Sequence, residues 1–148
     1  MEKAATSTPP LRVIFVCSGN SARSQMAEAL LRAKGGGGFE VHSAGTHPQG
    51  VNPLTVKVLA EVGIDISAAT SKAVSGYVGQ AFDYAVTVCD QARETCPVFP
   101  WASRSLHWDF ADPAAATGAE AQRLAAFRTT RDLIAARLDI FIRAAAAE

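Results

Sequence analysis

Four short apolar runs divide the chain, at residues 11–16, 39–44, 83–89 and 105–110. The first and third are almost unbroken and rich in β-branched and aromatic residues, the pattern of strands covered on both faces. The intervening segments switch to helical spacing. Met26, Ala29, Leu30 and Ala33 form one stripe of a helix over 23–33. Val56, Leu59, Ala60 and Val62 mark a second helix, opened by Asn52-Pro53 and closed by Gly63. Leu124, Phe127, Ile134, Leu138 and Phe141 repeat along a long final helix, with Thr117-Gly-Ala-Glu120 in the form of a capping box at its start. The four glycines at 35–38 read as a flexible connection, residues 68–79 are ambiguous with room for a helical turn, and the polar stretch 91–95 is a short helix or turn. The order β-α-β-α-β-β-α predicts an α/β fold in a single domain, a four-stranded parallel sheet with helices on both faces. Residues 1–10 are expected to be a flexible N-terminal tail, leaving 11–148 as the domain.

Composition narrows the function classes. With 148 residues, 49% of them hydrophobic, the chain has enough material for one core, and its charges cancel to +0. There is no basic surplus for nucleic acid, no run near the ~18 apolar residues of a membrane span, and no export signal. A cytoplasmic monomer is expected, with neither nucleic acid nor membrane as partner. The three cysteines, Cys17, Cys89 and Cys96, are an odd number, which points to thiol chemistry rather than a disulfide frame.

The chemistry concentrates where the first strand breaks at Cys17-Ser18-Gly19-Asn20-Ser21-Ala22-Arg23-Ser24 and a helix begins. Backbone N–H groups from Ser18 to Arg23 can curl into a nest for a tetrahedral oxyanion, and the helix N-terminus adds donors and a positive dipole end. Arg23 can clamp two anion oxygens, and the same positive field favours the Cys17 thiolate, the nucleophilic form. Gly19 is expected to supply backbone angles that other residues resist, Asn20 to tie the loop to itself, and Ser24 to donate to the Cys17 sulfur. No Gly-Lys-Ser/Thr follows, so the loop is not a Walker A. Cys17, Ser43, Cys89 and Asp112 all fall at or just past the carboxyl ends of expected strands, where ligands of parallel sheets bind.

Plainer readings stand beside these. Cys17 or Cys89 is also what a buried strand-end thiol looks like, with Cys96 a spare. Asp112-Pro113 is also a common turn start. Cys89, Cys96 and His107 are also a metal-ligand set by residue type, without a C-x2-C or H-x3-H spacing to support it. His42, His47 and His107 read as surface or satisfied histidines.

Residues 17–28, Cys-Ser-Gly-Asn-Ser-Ala-Arg-Ser-Gln-Met-Ala-Glu, resemble the signature of the low-molecular-weight protein tyrosine phosphatase superfamily. Val41-His-Ser-Ala-Gly-Thr46, Gly63-Ile-Asp-Ile-Ser67, Cys89-Asp-Gln-Ala-Arg-Glu-Thr-Cys-Pro97 and His107-Trp-Asp-Phe-Ala-Asp-Pro-Ala114 are similar to the thioredoxin-coupled arsenate reductases within it. The resemblance implies that arsenate sits in the loop, Cys17 attacks arsenic, and Asp112 protonates the departing oxygen. It implies that Cys89 then attacks the Cys17 sulfur to release arsenite, that Cys96 attacks Cys89, and that thioredoxin reduces the Cys89–Cys96 disulfide. An intact helix would separate residues 89 and 96 by ~10.5 Å of rise, against the roughly 4.4–6.8 Å a disulfide tolerates between Cα atoms. Segment 90–95 is therefore expected to be marginally stable and to refold on oxidation.

Asn20, Glu28 and Ser43 match positions that help bind potassium in some members. Lys72 stands where those members carry an acid, so its ammonium is expected to replace the ion and to steady Asn20 and Glu28, with no cofactor required. Two alternatives are a phosphatase hydrolysing aryl phosphates through a phosphocysteine, and a non-catalytic oxyanion-binding protein.

Overall fold

The computed structural model describes residues 9–91 and 93–146, so residues 1–8 of the expected tail lie outside the described residues. Strands β1 (Leu11–Cys17), β2 (Phe39–Gly45), β3 (Phe82–Cys89) and β4 (Ala102–Asp109) form one parallel sheet in the order β2-β1-β3-β4. The chain leaves β1 for β2 on one side and returns to β3 on the other. The loop after Cys17 therefore opens at the point where strand order reverses, the place such sheets reserve for ligands.

Side-chain alternation divides the core. Val13, Phe15 and Cys17 of β1 join Tyr84, Val86 and Val88 of β3 in the larger cluster, with helices α1 (Arg23–Gly35), α2 (Pro53–Ala60) and α3 (Glu120–Ala146) packed on it. Ile14 and Val16 face the other way with Ala44, Phe82, Ala85 and Phe99, and the 3-10 turn Val74–Tyr77 helps to cover that side. Both faces of β1 are thus shut off, which is why its sequence is continuously apolar.

Several expected details differ. α1 is buried from Arg23 through Leu31, on every side rather than along one stripe, and Ala33 is exposed. α2 buries Leu54, Thr55, Val58 and Leu59 and ends at Ala60, while Val62 lies exposed beyond it. Gly35 is the last residue of α1 and Gly36–Gly38 form a 3-10 turn, so the glycine run has defined structure. β4 begins at Ala102, three residues earlier than its apolar run suggested. The capping box is shifted too: the Gln122 side chain accepts from the Ala119 N–H at 2.8 Å, so Ala119, not Thr117, occupies the cap position.

Candidate active site

The loop from Cys17 to Ala22 is held by its carbonyl groups. Cys17 O accepts from Thr46 N (3.3 Å), Ser18 O from His47 N (2.8 Å), Gly19 O from Gln49 N (3.0 Å) and Ser21 O from Asn52 N (3.1 Å). Asn20 O accepts from the Ser71 hydroxyl at 2.6 Å, and Ala22 O from Met26 N within α1. In a trans peptide the N–H points opposite the C=O, so a strap that draws the carbonyls outward turns the amides toward the cleft. α1 adds its first turn, whose start carries no side-chain cap. The strap approaches closely because residue 45 is glycine: a Cβ there would stand 2.5 Å from Ser18 O and 2.8 Å from Asn20 N.

Gly19 does not have the role expected from sequence. The left-handed backbone belongs to Asn20, at φ 47°, while Gly19 avoids Gln49, whose Oε1 would lie 3.0 Å from an added Cβ. Fully buried Asn20 donates through Nδ2 to Ser24 Oγ (2.8 Å) and Ser43 Oγ (2.9 Å), and its Oδ1 accepts from Lys72 N (2.7 Å) and Gln25 Nε2 (3.0 Å). Behind it the Ser43 hydroxyl donates to Glu28, which also meets Lys72 Nζ at 3.3 Å and Arg32 Nη2 at 2.6 Å. The expected contact of the Lys72 ammonium with Glu28 is present, whereas Asn20 is held by the Lys72 backbone instead.

Cys17 Sγ is buried, 2.8 Å from Ser24 Oγ and 3.2 Å from the Asn20 N–H that donates to it. The cleft above it is lined by Ser18, Gly19, Ser21, Ala22, Arg23, Gln49, Glu94, Asp112 and Ala114. Arg23 donates to Phe110 O at 3.0 Å and grips Glu94 with both guanidinium arms, Nη2 to Oε1 at 2.9 Å. Burial works against the Arg23 charge, but the hydrogen bond and charge of Glu94, with Asp112 and Cys17 nearby, outweigh it and hold the guanidinium more firmly protonated than usual. Arg23 in turn holds the Glu94 carboxyl below its ordinary range. Asp112 Oδ2 lies 4.0 Å from Arg23 Nη2, and its Oδ1 caps the turn Pro113–Ala115 through Ala114 N at 2.9 Å. Asp112 is therefore both a turn start and a wall of the cleft.

Cys89, at the end of β3, is bonded to Cys96 with a Cα separation of 6.1 Å. Between them the chain makes a turn, Arg93 N and Glu94 N both donating to Asp90 O, rather than a helix. Register pairs Val16 with Thr87, so Cys17 and Cys89 end neighbouring strands one step apart, where backbones run about 4.8 Å from each other. Val88 shares the Cys17 face, so alternation turns Cys89 to the opposite one. There the two sulfurs and a His107 nitrogen lie within 4.8 Å of one another, with both sulfurs occupied by their mutual bond. His107 itself is hydrogen bonded to Thr87 Oγ1 and Asp109 Oδ1, both at 2.7 Å. His42 pairs with Glu40 and His47 with Thr46.

Glu94 and Gln49 are the site residues that sequence reasoning missed. Glu94 sits in a polar stretch read only as a short helix or turn, and no spacing rule links it to Arg23, 71 positions away.

A cysteine beneath an amide-lined loop at a strand–helix switch point, with a buried arginine across the cleft, defines an oxyanion-binding protein of the phosphatase type. The chain belongs to the low molecular weight phosphotyrosine protein phosphatase family, whose model matches residues 12–148. It is 43% identical over 129 residues to an arsenate reductase of Halalkalibacterium halodurans, covering 87% of this chain and 93% of that protein. Among solved structures, a thioredoxin-dependent arsenate reductase of Corynebacterium glutamicum superposes with TM-score 0.70 at 28% identity, over 95% of this chain and 64% of that one. An arsenate reductase in an oxidised state gives TM-score 0.74 at 30% identity, over 89% and 96% of the two chains. Among the described residues no helix is long and apolar enough to cross a membrane.

Proposed function

We propose that this protein is an arsenate reductase in which Cys17, Cys89 and Cys96 pass electrons in sequence and a thioredoxin-type dithiol restores the thiols. Arsenate occupies the loop, its oxygens on the amides of residues 18–23 and on Arg23. The Cys17 thiolate attacks arsenic, and one oxygen departs as water with a proton from Asp112. Cys89 then attacks the Cys17 sulfur. The electron pair of the S–As bond stays on arsenic, which falls from As(V) to As(III), and arsenite leaves a Cys17–Cys89 disulfide. Cys96 attacks Cys89, Cys17 departs as thiolate, and the Cys89–Cys96 disulfide accepts two electrons and two protons from the external dithiol.

One observation carries this reading: a second buried thiol ends the strand beside the nucleophile's, and it is bonded to the third. Arsenate and phosphate match in shape and charge, so the loop alone does not separate reductase from phosphatase. A thiol that can strip the adduct does. In this disulfide state the buried Cys89 faces away from Cys17, so the strand end has to turn over between attack on Cys17 and closure on Cys96.

The test is arsenate-dependent NADPH oxidation with thioredoxin and its reductase, alongside hydrolysis of an aryl phosphate. Wild type should turn over arsenate, and Cys17→Ser, Cys89→Ser and Cys96→Ser should each stop it. Arsenate turnover that survives Cys89→Ser or Cys96→Ser would overturn the relay, and a wild type that hydrolyses the aryl phosphate through Cys17 alone without turning over arsenate would be a phosphatase.

A further inference from the structure

We infer that Glu94 is an internal oxyanion: in the disulfide state its carboxylate takes the Arg23 guanidinium and closes the substrate site, so that the Cys89–Cys96 bond and a bound oxyanion exclude one another. The inference rests on the proposed loop and thiol roles, and adds a coupling between them.

The Arg23 side chain is only 6% exposed, and its two terminal nitrogens meet the two oxygens of Glu94, the fork-to-fork arrangement in which arginine would clamp arsenate or phosphate. Glu94 lines the same cleft as Cys17, Ser18 and Ser21. An incoming oxyanion would have to share one guanidinium, itself nearly shut off from solvent, with a carboxylate already in place, like charge against like charge.

The disulfide determines where that carboxylate stands. Glu94 is two positions before Cys96, in a turn whose two N–H groups converge on Asp90 O at 3.0 and 2.8 Å. Its own Oε2 accepts from Asp90 N at 2.8 Å. Closing residues 89 and 96 to a Cα distance of 6.1 Å folds the segment into this turn and presents Glu94 to Arg23. Reduction by a dithiol delivers two electrons and two protons, leaves Cys89 and Cys96 as thiols, and removes the restraint. The coupling is reciprocal: if reduction raises oxyanion affinity, a bound oxyanion makes the disulfide easier to reduce by the same factor. Such an interlock keeps spent enzyme from trapping oxyanion before its thiols are restored.

Direct binding of inorganic phosphate, read by calorimetry on the full chain, tests this without turnover. Disulfide-closed and dithiothreitol-reduced forms are compared for wild type, Glu94→Gln and Glu94→Ala, with circular dichroism to confirm the fold. Reduced wild type should bind phosphate about tenfold or more tightly than oxidised wild type, and both substitutions should bring that ratio toward one. Saturating phosphate should raise the disulfide midpoint potential of wild type by ~30 mV for each tenfold of affinity ratio, and should leave that of Glu94→Gln unmoved. Equal affinity in the two wild-type forms, or a ratio that survives both substitutions, overturns the inference. Absence of phosphate binding in every form overturns it as well, and takes with it the oxyanion loop on which the proposed function stands.

Discussion

At the scale of single residues, each member of the loop does its work by fixing a neighbour. Asn20 accepts a positive φ because its side chain bridges Ser24, Ser43, Gln25 and the Lys72 backbone, which offsets the strain of that conformation. Lys72 completes the support from behind, its ammonium 3.3 Å from the Glu28 carboxylate that also receives Ser43 and Arg32. We propose that this ammonium takes the place of a bound cation. We expect the rate of wild type to be unchanged when potassium replaces sodium at constant ionic strength, and Lys72→Met to lose activity that potassium partly restores. Strong stimulation of wild type by potassium would contradict this. Much of the residue scale was legible beforehand. Cys17 meets Ser24 and Asn20 ties the loop to itself as expected, because these residues share one short loop where local chain geometry dictates who can touch, whereas the Arg23 partner Glu94 comes from 71 positions away. Gly19 was misread because a glycine in a loop states a need for room or for angle without stating which. Here it is room for Gln49.

At the scale of elements, apolar runs located the strands well and helix ends poorly. Burial of a strand on two faces writes itself into every residue, whereas the start of α3 depends on one side chain, Gln122, folding back past Gly118. The junction of α2 with α3 depends on charge. Glu61, the C-cap of α2, receives Arg128 at 2.8 Å and Arg131 at 2.8 Å, and these arginines hold its carboxyl at about 2 against an ordinary 4.5. A folded-state pKa depressed in this way adds stability that is fully present above pH 4.5 and is lost as pH falls toward 2. Glu61→Gln should therefore lower stability at neutral pH and flatten the acid limb, the two proteins converging as pH falls toward 2. Both arginines are partly solvated, so salt should shrink the difference. Thermal melts of the two proteins from pH 5 to pH 2, at low and high salt, would measure it. Identical acid limbs would show that the cluster is electrostatically idle.

For the whole molecule, one sheet does two jobs: its interior faces bury the core and its carboxyl edge assembles the chemistry. Phe15 joins them. It is fully buried, stacks at 5.9 Å centroid distance against Trp108 of β4, and lies two residues before the nucleophile. Phe15→Ala should cost ~3–5 kcal/mol of unfolding free energy, read from urea denaturation with the disulfide state held fixed. A loss well below that range would mean the core collapses into the vacancy.

The sequence by itself determined the alternation of strands and helices, the oxyanion loop and the three thiols. All of these are written in spacings of a few residues, where periodic burial and backbone reach leave a local mark. Only the tertiary structure decided that the strap from Gly45 to Asn52 would draw the loop carbonyls outward, that Cys89 would face away from Cys17 while bonded to Cys96, and that Glu94 would cover Arg23. Each of those pairs segments distant in the chain, and which of them meet is settled by how strands order in the sheet and how the chain folds back across its edge.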